Sequence, residues 1–182
     1  RRDPLASIVE LSQLSYRCTV IVPVEMNNLP TTLRLTHLTW GEIAALRNQI
    51  KVVAIPIGSI EQHGPNTSLD TDLVICEDLT LRLAQRFHPQ VLVAPTIPFG
   101  MSAYHMGFPG TITLRTQTLL HVLEDNLESL IHHGFTRFLL TNWHSGNEPI
   151  MTIAMQTLPT RLPLDFLAGL SFYDLEDQDL AQ

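Results

Sequence analysis

The chain has 182 residues, of which 45% are hydrophobic and 16% charged. That length suits one domain of roughly 100–200 residues, and the balance excludes a mostly disordered chain, which needs low hydrophobicity and high net charge. Eleven basic against eighteen acidic residues give a net charge of −7, which repels phosphate backbones, so no nucleic-acid partner is expected. Residues 1–31 read as an N-terminal extension, in part disordered. Ser7–Leu11 starts a helical pattern that is not sustained, and Met26-Asn27-Asn28-Leu29-Pro30 looks like a natural protein start. A strand on Val20–Val24 is the alternative reading. Residues 32–182 then read as one α/β domain. Thr39 precedes Trp40–Leu46, a capped helix. Val52–Ile57 is a short, apolar, β-branched run, the pattern of a buried strand. A polar loop from Gly58 to Thr71 leads into a helix over Asp72–Phe87. Val91–Ala94 is a second buried strand, and Pro95–Gly110 a long loop rich in Gly and Pro. Thr116–His133 carries Leu119, Leu120, Leu123, Leu127, Leu130 and Ile131 at helical spacing, with Gly134 as its stop signal. Phe138–Thr141 is a third strand, Asn147-Glu148-Pro149 opens a helix running to about Leu158, and Leu164–Phe172 is a fourth strand.

Short buried strands alternating with helices predict an α/β fold with a mostly parallel sheet. In such sheets ligands bind beyond the carboxyl ends of the strands, which is where the loops after Ile57 and Thr141 fall. No apolar run approaches the ~18 residues needed to span a bilayer, so no membrane partner is expected. Cys18 and Cys76 are too few and too far apart for a disulfide framework. A cytoplasmic protein is the expectation.

The loop after the first strong strand holds Glu61, His63, Asp70 and Asp72 within twelve positions. Carboxylates with imidazoles suit Zn, Mn or Fe, whereas Ca and Mg favour all-oxygen sets. Glu61 and His63, at i and i+2, share one side of an extended backbone. Asp72 returns at the start of the next helix, and His144 can reach the same point from the neighbouring strand end. The residue types alone leave a second reading open: a solvated loop whose Asp72 caps its helix through a side-chain oxygen.

Longer motifs weigh on that choice. Glu61-Gln62-His63-Gly64-Pro65, with Leu69 and Thr71-Asp72 after it, resembles the metal-binding signature of the creatininase (creatinine amidohydrolase) family. Phe99-Gly100-Met101-Ser102-Ala103-Tyr104-His105 resembles that family's Tyr-Gly-x-Ser-x-x-His loop. Phe108-Pro109-Gly110-Thr111 is similar to its Phe-Pro-Gly-Thr element. His133-Gly134-Phe135 and Asn142-Trp143-His144-Ser145-Gly146-Asn147 are similar to its His-Gly-Phe and Asn-Gly-His-Gly-Gly-Asn stretches. These motifs occur in the family's order, over roughly residues 32–158.

The resemblance implies a three-layer α/β/α sandwich, often assembled as a homo-oligomer and as a hexamer in part of the family. It implies Glu61, His63, Asp72 and His144 as ligands of one or two divalent ions, with Asp72 as the bridging carboxylate. His105 would serve substrate binding or a proton relay, or else hold its own loop. Ser102, Trp143, Ser145 and Gly146 would border a small-molecule amide substrate, with Trp143 either narrowing the pocket or packing on the loop. The expected reaction is hydrolysis of a C–N bond in a small cyclic amide or formamide by metal-activated water. Several positions depart from the pattern. Asn66 replaces a histidine, and Gly146 stands where creatininase has a glutamate ligand. The region after Leu158 lacks the family's later His and Glu, so the domain reads as incomplete at its C-terminal end. These departures carry the alternative expectation, a catalytically inactive or truncated member acting as a binding or scaffold protein.

Overall fold

A computed structural model describes residues 33–172. The readings placed on Ser7–Leu11 and Val20–Val24 lie outside the described residues. The elements run β1 (Leu33–Arg34), α1 (Trp40–Leu46), β2 (Val52–Ile57), α2 (Thr71–Arg86), β3 (Val91–Val93), α3 (Thr116–His132), β4 (Arg137–Asn142), α4 (Glu148–Thr157) and β5 (Phe166–Ser171). Every strand and helix expected from residue 39 onward is present, with ends moved by one or two residues.

The helix starts have local causes. At α1, Thr39 Oγ1 accepts from the Glu42 N–H at 3.3 Å, and the Glu42 carboxylate accepts from the Thr39 N–H at 2.7 Å. This reciprocal capping box satisfies two amides that would otherwise lack partners. Pro149 stands in the first turn of α4, where its missing N–H costs nothing.

The strands form one sheet in the order β1-β3-β2-β4-β5, and every neighbouring pair is parallel. From β2 the chain steps outward to β3, then returns across β2 to β4 and continues to β5. Right-handed crossovers therefore put α2 on one face and α1, α3 and α4 on the other. The core agrees with this. Val53, Ile55 and Ile57 pack with Leu46, Leu119, Leu123, Leu127, Ile150 and Ala154. On the opposite face the α2 residues Cys76, Thr80 and Ala84 are buried, and the Thr80 hydroxyl lies 2.7 Å from that of Thr141. Burial pushes the Cys76 thiol pKa up, as befits a packing residue rather than a nucleophile. The result is a three-layer α/β/α arrangement. Among the described residues, no helix is long and apolar enough to cross a membrane.

The direction of strand succession reverses between β3 and β4, on either side of β2. Such a switch point opens a crevice at the carboxyl ends of the two central strands, β2 and β4.

Candidate metal centre

The crevice is lined by the loop after β2, the first turn of α2, the 99–112 loop and the segment after β4. Beyond β2, the Glu61 N–H donates to the Leu69 carbonyl at 2.9 Å, which closes the loop and fixes Glu61 over the strand end. Asp72 lies in the first turn of α2, where the helix dipole favours negative charge. His144 follows β4 after one residue. Its N–H donates to Asn142 Oδ1 at 3.0 Å, and Asn142 Nδ2 donates to its carbonyl at 2.8 Å. Asn147 joins the loops: its Nδ2 donates to Gly58 O and to Asn142 Oδ1, each at 3.1 Å, and its Oδ1 accepts from the Met101 N–H at 3.0 Å.

The four expected ligands converge. Glu61, Asp72 and His144 are 5%, 3% and 2% exposed, respectively, so two carboxylates are buried against one imidazole. His63 Nε2 lies 3.1 Å from Asp72 Oδ1. His144 Nδ1 lies 3.1 Å from Asp72 Oδ2 and 3.4 Å from Glu61 Oε1. The two oxygens of Asp72 thus face different imidazoles. Donor atoms of Glu61, His63 and Asp72 all lie within 4.8 Å of one another, and His144 closes on the other Asp72 oxygen.

Asp72 does not cap its helix. Oδ1 is taken by His63, and Oδ2, although close to His144 Nδ1, is buried without an aligned hydrogen bond. The solvated-loop reading therefore fails. A buried carboxylate oxygen without a donor is costly, and a cation relieves it. The donor set, two carboxylates and two imidazoles, suits Zn, Mn or Fe, so these residues fit a divalent ion.

The partners of His144 organise its protonation. Its Nε2 is 3.1 Å from the Met101 carbonyl, an acceptor only, so Nε2 carries a proton and Nδ1 faces the carboxylates. Burial lowers the His144 pKa, but the Asp72 carboxylate, the Met101 carbonyl and Glu61 outweigh it, and the net direction is upward.

His105 also reaches the site. Its Nε2 is 3.5 Å from Glu61 Oε1, and its Nδ1 is 3.2 Å from Gln62 Nε2. The Gly64 N–H donates to Gln62 Oε1 at 3.0 Å, which orients the amide so that Nε2 donates to the ring. His105 Nδ1 is then an acceptor, and its Nε2–H points toward Glu61.

The remaining expected residues divide. Ser145 is exposed on the rim, and Trp143 is half-buried beside His144. Ser102 is fully buried, its hydroxyl in contact with that of Ser59 and 3.4 Å from His144 Nε2. It lies beneath the ligands rather than on the open face. A Cβ at Gly146 would overlap His144 Nε2 and the Met101 carbonyl, so this loop has no room for a glutamate there. Asn66 is exposed, and His121, His132 and His133 are exposed on or at the end of α3. Sequence reasoning missed Ser59, Asn142, Asn147 and Tyr104 as site residues. Tyr104 lies with its hydroxyl 3.4 Å from His144 Nε2, and burial together with the Glu61 charge pushes its phenol pKa up. The asparagines stood inside a quoted motif, but nothing in their spacing shows which loops they tie.

Comparison with known proteins places this geometry. A family model described as creatinine amidohydrolase matches residues 36–181. A mycofactocin precursor peptide peptidase of Mycolicibacterium smegmatis is 32% identical over 117 residues, covering 62% of this chain and 47% of the relative. A creatinine amidohydrolase of Pseudomonas putida is 31% identical, covering 61% and 44%. A 3-dehydro-scyllo-inosose hydrolase of Thermotoga maritima is 31% identical, covering 69% and 40%. The matched stretches thus span less than half the length of these relatives. Among solved structures, a manganese form of creatininase superposes with a TM-score of 0.69 at 28% identity, covering 79% of this chain and 59% of that one. A Zn–Zn form of a mutant creatininase gives the same score and coverage. With the family model spanning most of the sequence and the motif residues gathered at one switch point, the chain belongs to the creatininase family.

Proposed function

We propose that the chain is a metal-dependent amidohydrolase, cleaving a C–N bond in a small cyclic amide or formamide. The observation that carries this reading is Asp72, a buried carboxylate that turns its two oxygens to two different imidazoles and leaves one without a hydrogen-bond donor. Glu61, His63, Asp72 and His144 would hold Zn, Mn or Fe. When bound, such an ion polarises a carbonyl and lowers the pKa of water toward neutrality. The protein supplies the rest. The Met101 carbonyl orients the His144 ring, Asn142 holds the His144 backbone, and the Leu69 carbonyl anchors Glu61. The His105 Nε2–H beside Glu61 Oε1 forms a carboxylate–imidazole pair placed to carry a proton from water to the departing amine. Ser145, Trp143 and the Gly146 backbone border the substrate side. The same reading includes a homo-oligomer in the cytoplasm. The absence of a disulfide framework supports the compartment, and the half-exposed edge strand β5 is consistent with association.

The relatives include a peptidase as well as hydrolases of small molecules, so the substrate screen must hold creatinine, N-formyl compounds and short peptides. Metal analysis of the purified protein is expected to find close to one or two Zn, Mn or Fe per chain, with His63→Ala and Asp72→Asn each releasing metal. A folded, metal-free wild type would overturn the proposal. Gly146 favours one second reading. It leaves the loop after β4 without a glutamate at the position where creatininase has one, so a member that binds metal without turnover is the alternative. Bound metal with no hydrolysis across the screen would identify it.

A further inference from the structure

At the amino ends of β2 and β4, the pole opposite the metal centre, a surface cavity of about 260 Å³ is walled by Arg47, Lys51 and Arg137, with Asn48, Gly134 and Thr136 between them. Among the described residues, no carboxylate lines it. The cavity thus gathers three basic side chains in a chain of net charge −7, whereas Arg34 meets Glu77, Arg82 meets Asp78, and Arg161 meets Glu124. Among the described residues, Arg47, Lys51 and Arg137 have no carboxylate partner. Lys51, the only lysine of the chain, donates to the Asn48 carbonyl at 2.8 Å. Arg137 lies over the Phe166 ring, 5.2 Å from its centroid. The neighbouring acid, Asp165, accepts from the Thr136 hydroxyl at 2.7 Å and does not line the cavity.

The backbone is shaped to this arrangement. Gly134 has φ +87°, and a Cβ there would overlap the Arg47 guanidinium. Glycine therefore both ends α3 and lets Arg47 lie across the cavity wall. Three cations around one void repel each other, and an anion between them removes that repulsion. Two planar guanidinium forks and an ammonium match an anion with several oxygens, because forks bind paired oxygens in bidentate fashion. We infer that this cavity binds a phosphate-class oxyanion, either the free ion or the phosphoryl group of a small metabolite, at a site separate from the metal centre.

The test is a titration of the full chain with inorganic phosphate at constant ionic strength, followed by amide ¹⁵N–¹H spectra. Saturable shifts are expected at Gly134, Thr136 and Arg137, with Gly64 and Gly146 beside the metal centre unmoved. Arg137→Gln and Lys51→Gln should each weaken binding about tenfold, the loss expected for one charge-assisted contact. Both side chains are exposed, so either variant should fold. A parallel arm with glycerol 3-phosphate separates the sources: tighter binding than phosphate identifies an esterified ligand, and equal or weaker binding the free ion. The inference is overturned by three results. They are no saturable shift at these amides, shifts confined to the metal centre, or affinity unchanged in both variants.

Discussion

Asn147 is fully buried, and all the hydrogen-bonding capacity the structure shows for it goes to loop backbones and to one other asparagine. Gly58 follows β2, Met101 belongs to the loop after β3, and Asn142 ends β4. One side chain thus sets the spacing of the three segments that carry Glu61, the Met101 carbonyl and His144. Asn147→Ala removes those partners and leaves the Gly58 carbonyl and the Met101 N–H to find others. The expected cost is about 1–3 kcal/mol, read by urea unfolding. Because the lost contacts orient ligands rather than supply them, metal affinity should fall by about 10–100-fold without being abolished. Unchanged affinity alongside the lost stability would make Asn147 purely structural. The candidate ligands Glu61, His63, Asp72 and His144 could be named from the sequence through the longer motifs around them, since their residue types alone left a solvated loop open. The supports were not. Ser59, Asn142 and Asn147 are ordinary polar residues until folding brings loops from distant parts of the chain together. Ser102 shows the converse, since a position expected at the substrate turned out to be buried beneath the ligands.

At the scale of the element, α3 packs its apolar stripe on one face of the sheet. Leu119, Leu123 and Leu127 form one stripe, each fully buried against the sheet. Leu123→Ala should destabilise the fold by about 2–5 kcal/mol, through lost transfer energy and the cavity left behind. Urea midpoints measure this, and a loss under about 1 kcal/mol would mean the layer repacks easily. At the exposed start of α1, Thr39→Ala removes half of the capping box and should cost about 1 kcal/mol in the same assay. These elements were readable because their signals are local: a 3.6-residue period for α3, continuous apolar runs for β2 and β4, and a Thr-x-x-Glu box for α1. β1 escaped notice because Leu33–Arg34 is too short to show a period. Strand order escaped too. No local signal says that β2 lies between β3 and β4, yet that placement creates the crevice.

A metal bound at the proposed site would couple to the stability of the whole molecule. An ion that binds the folded chain and not the unfolded one stabilises it by RT ln(1 + [M]/Kd), about 2.7 kcal/mol when free metal is a hundredfold above Kd. Chelation should therefore lower the Tm of the holoprotein, and the drop should depend on pH through His144. In the metal-free chain the His144 pKa is raised above its ordinary value of about 6.5, with burial opposing and Asp72, the Met101 carbonyl and Glu61 prevailing. Such a group contributes stability that is fully present below its unfolded pKa. That contribution is lost as pH rises through the higher folded pKa. In effect the proton on His144 offsets part of the buried carboxylate charge when no metal is bound. A metal held at the proposed site would do this instead and would compete with the proton for His144, so low pH would weaken its binding. Both effects have the same sign. The Tm gap between the metal-loaded and chelated protein should be small near pH 6 and widen toward pH 8. Thermal unfolding with and without chelator across that range measures it. A gap that stays constant or narrows with rising pH would show that His144 does not exchange a proton for the metal.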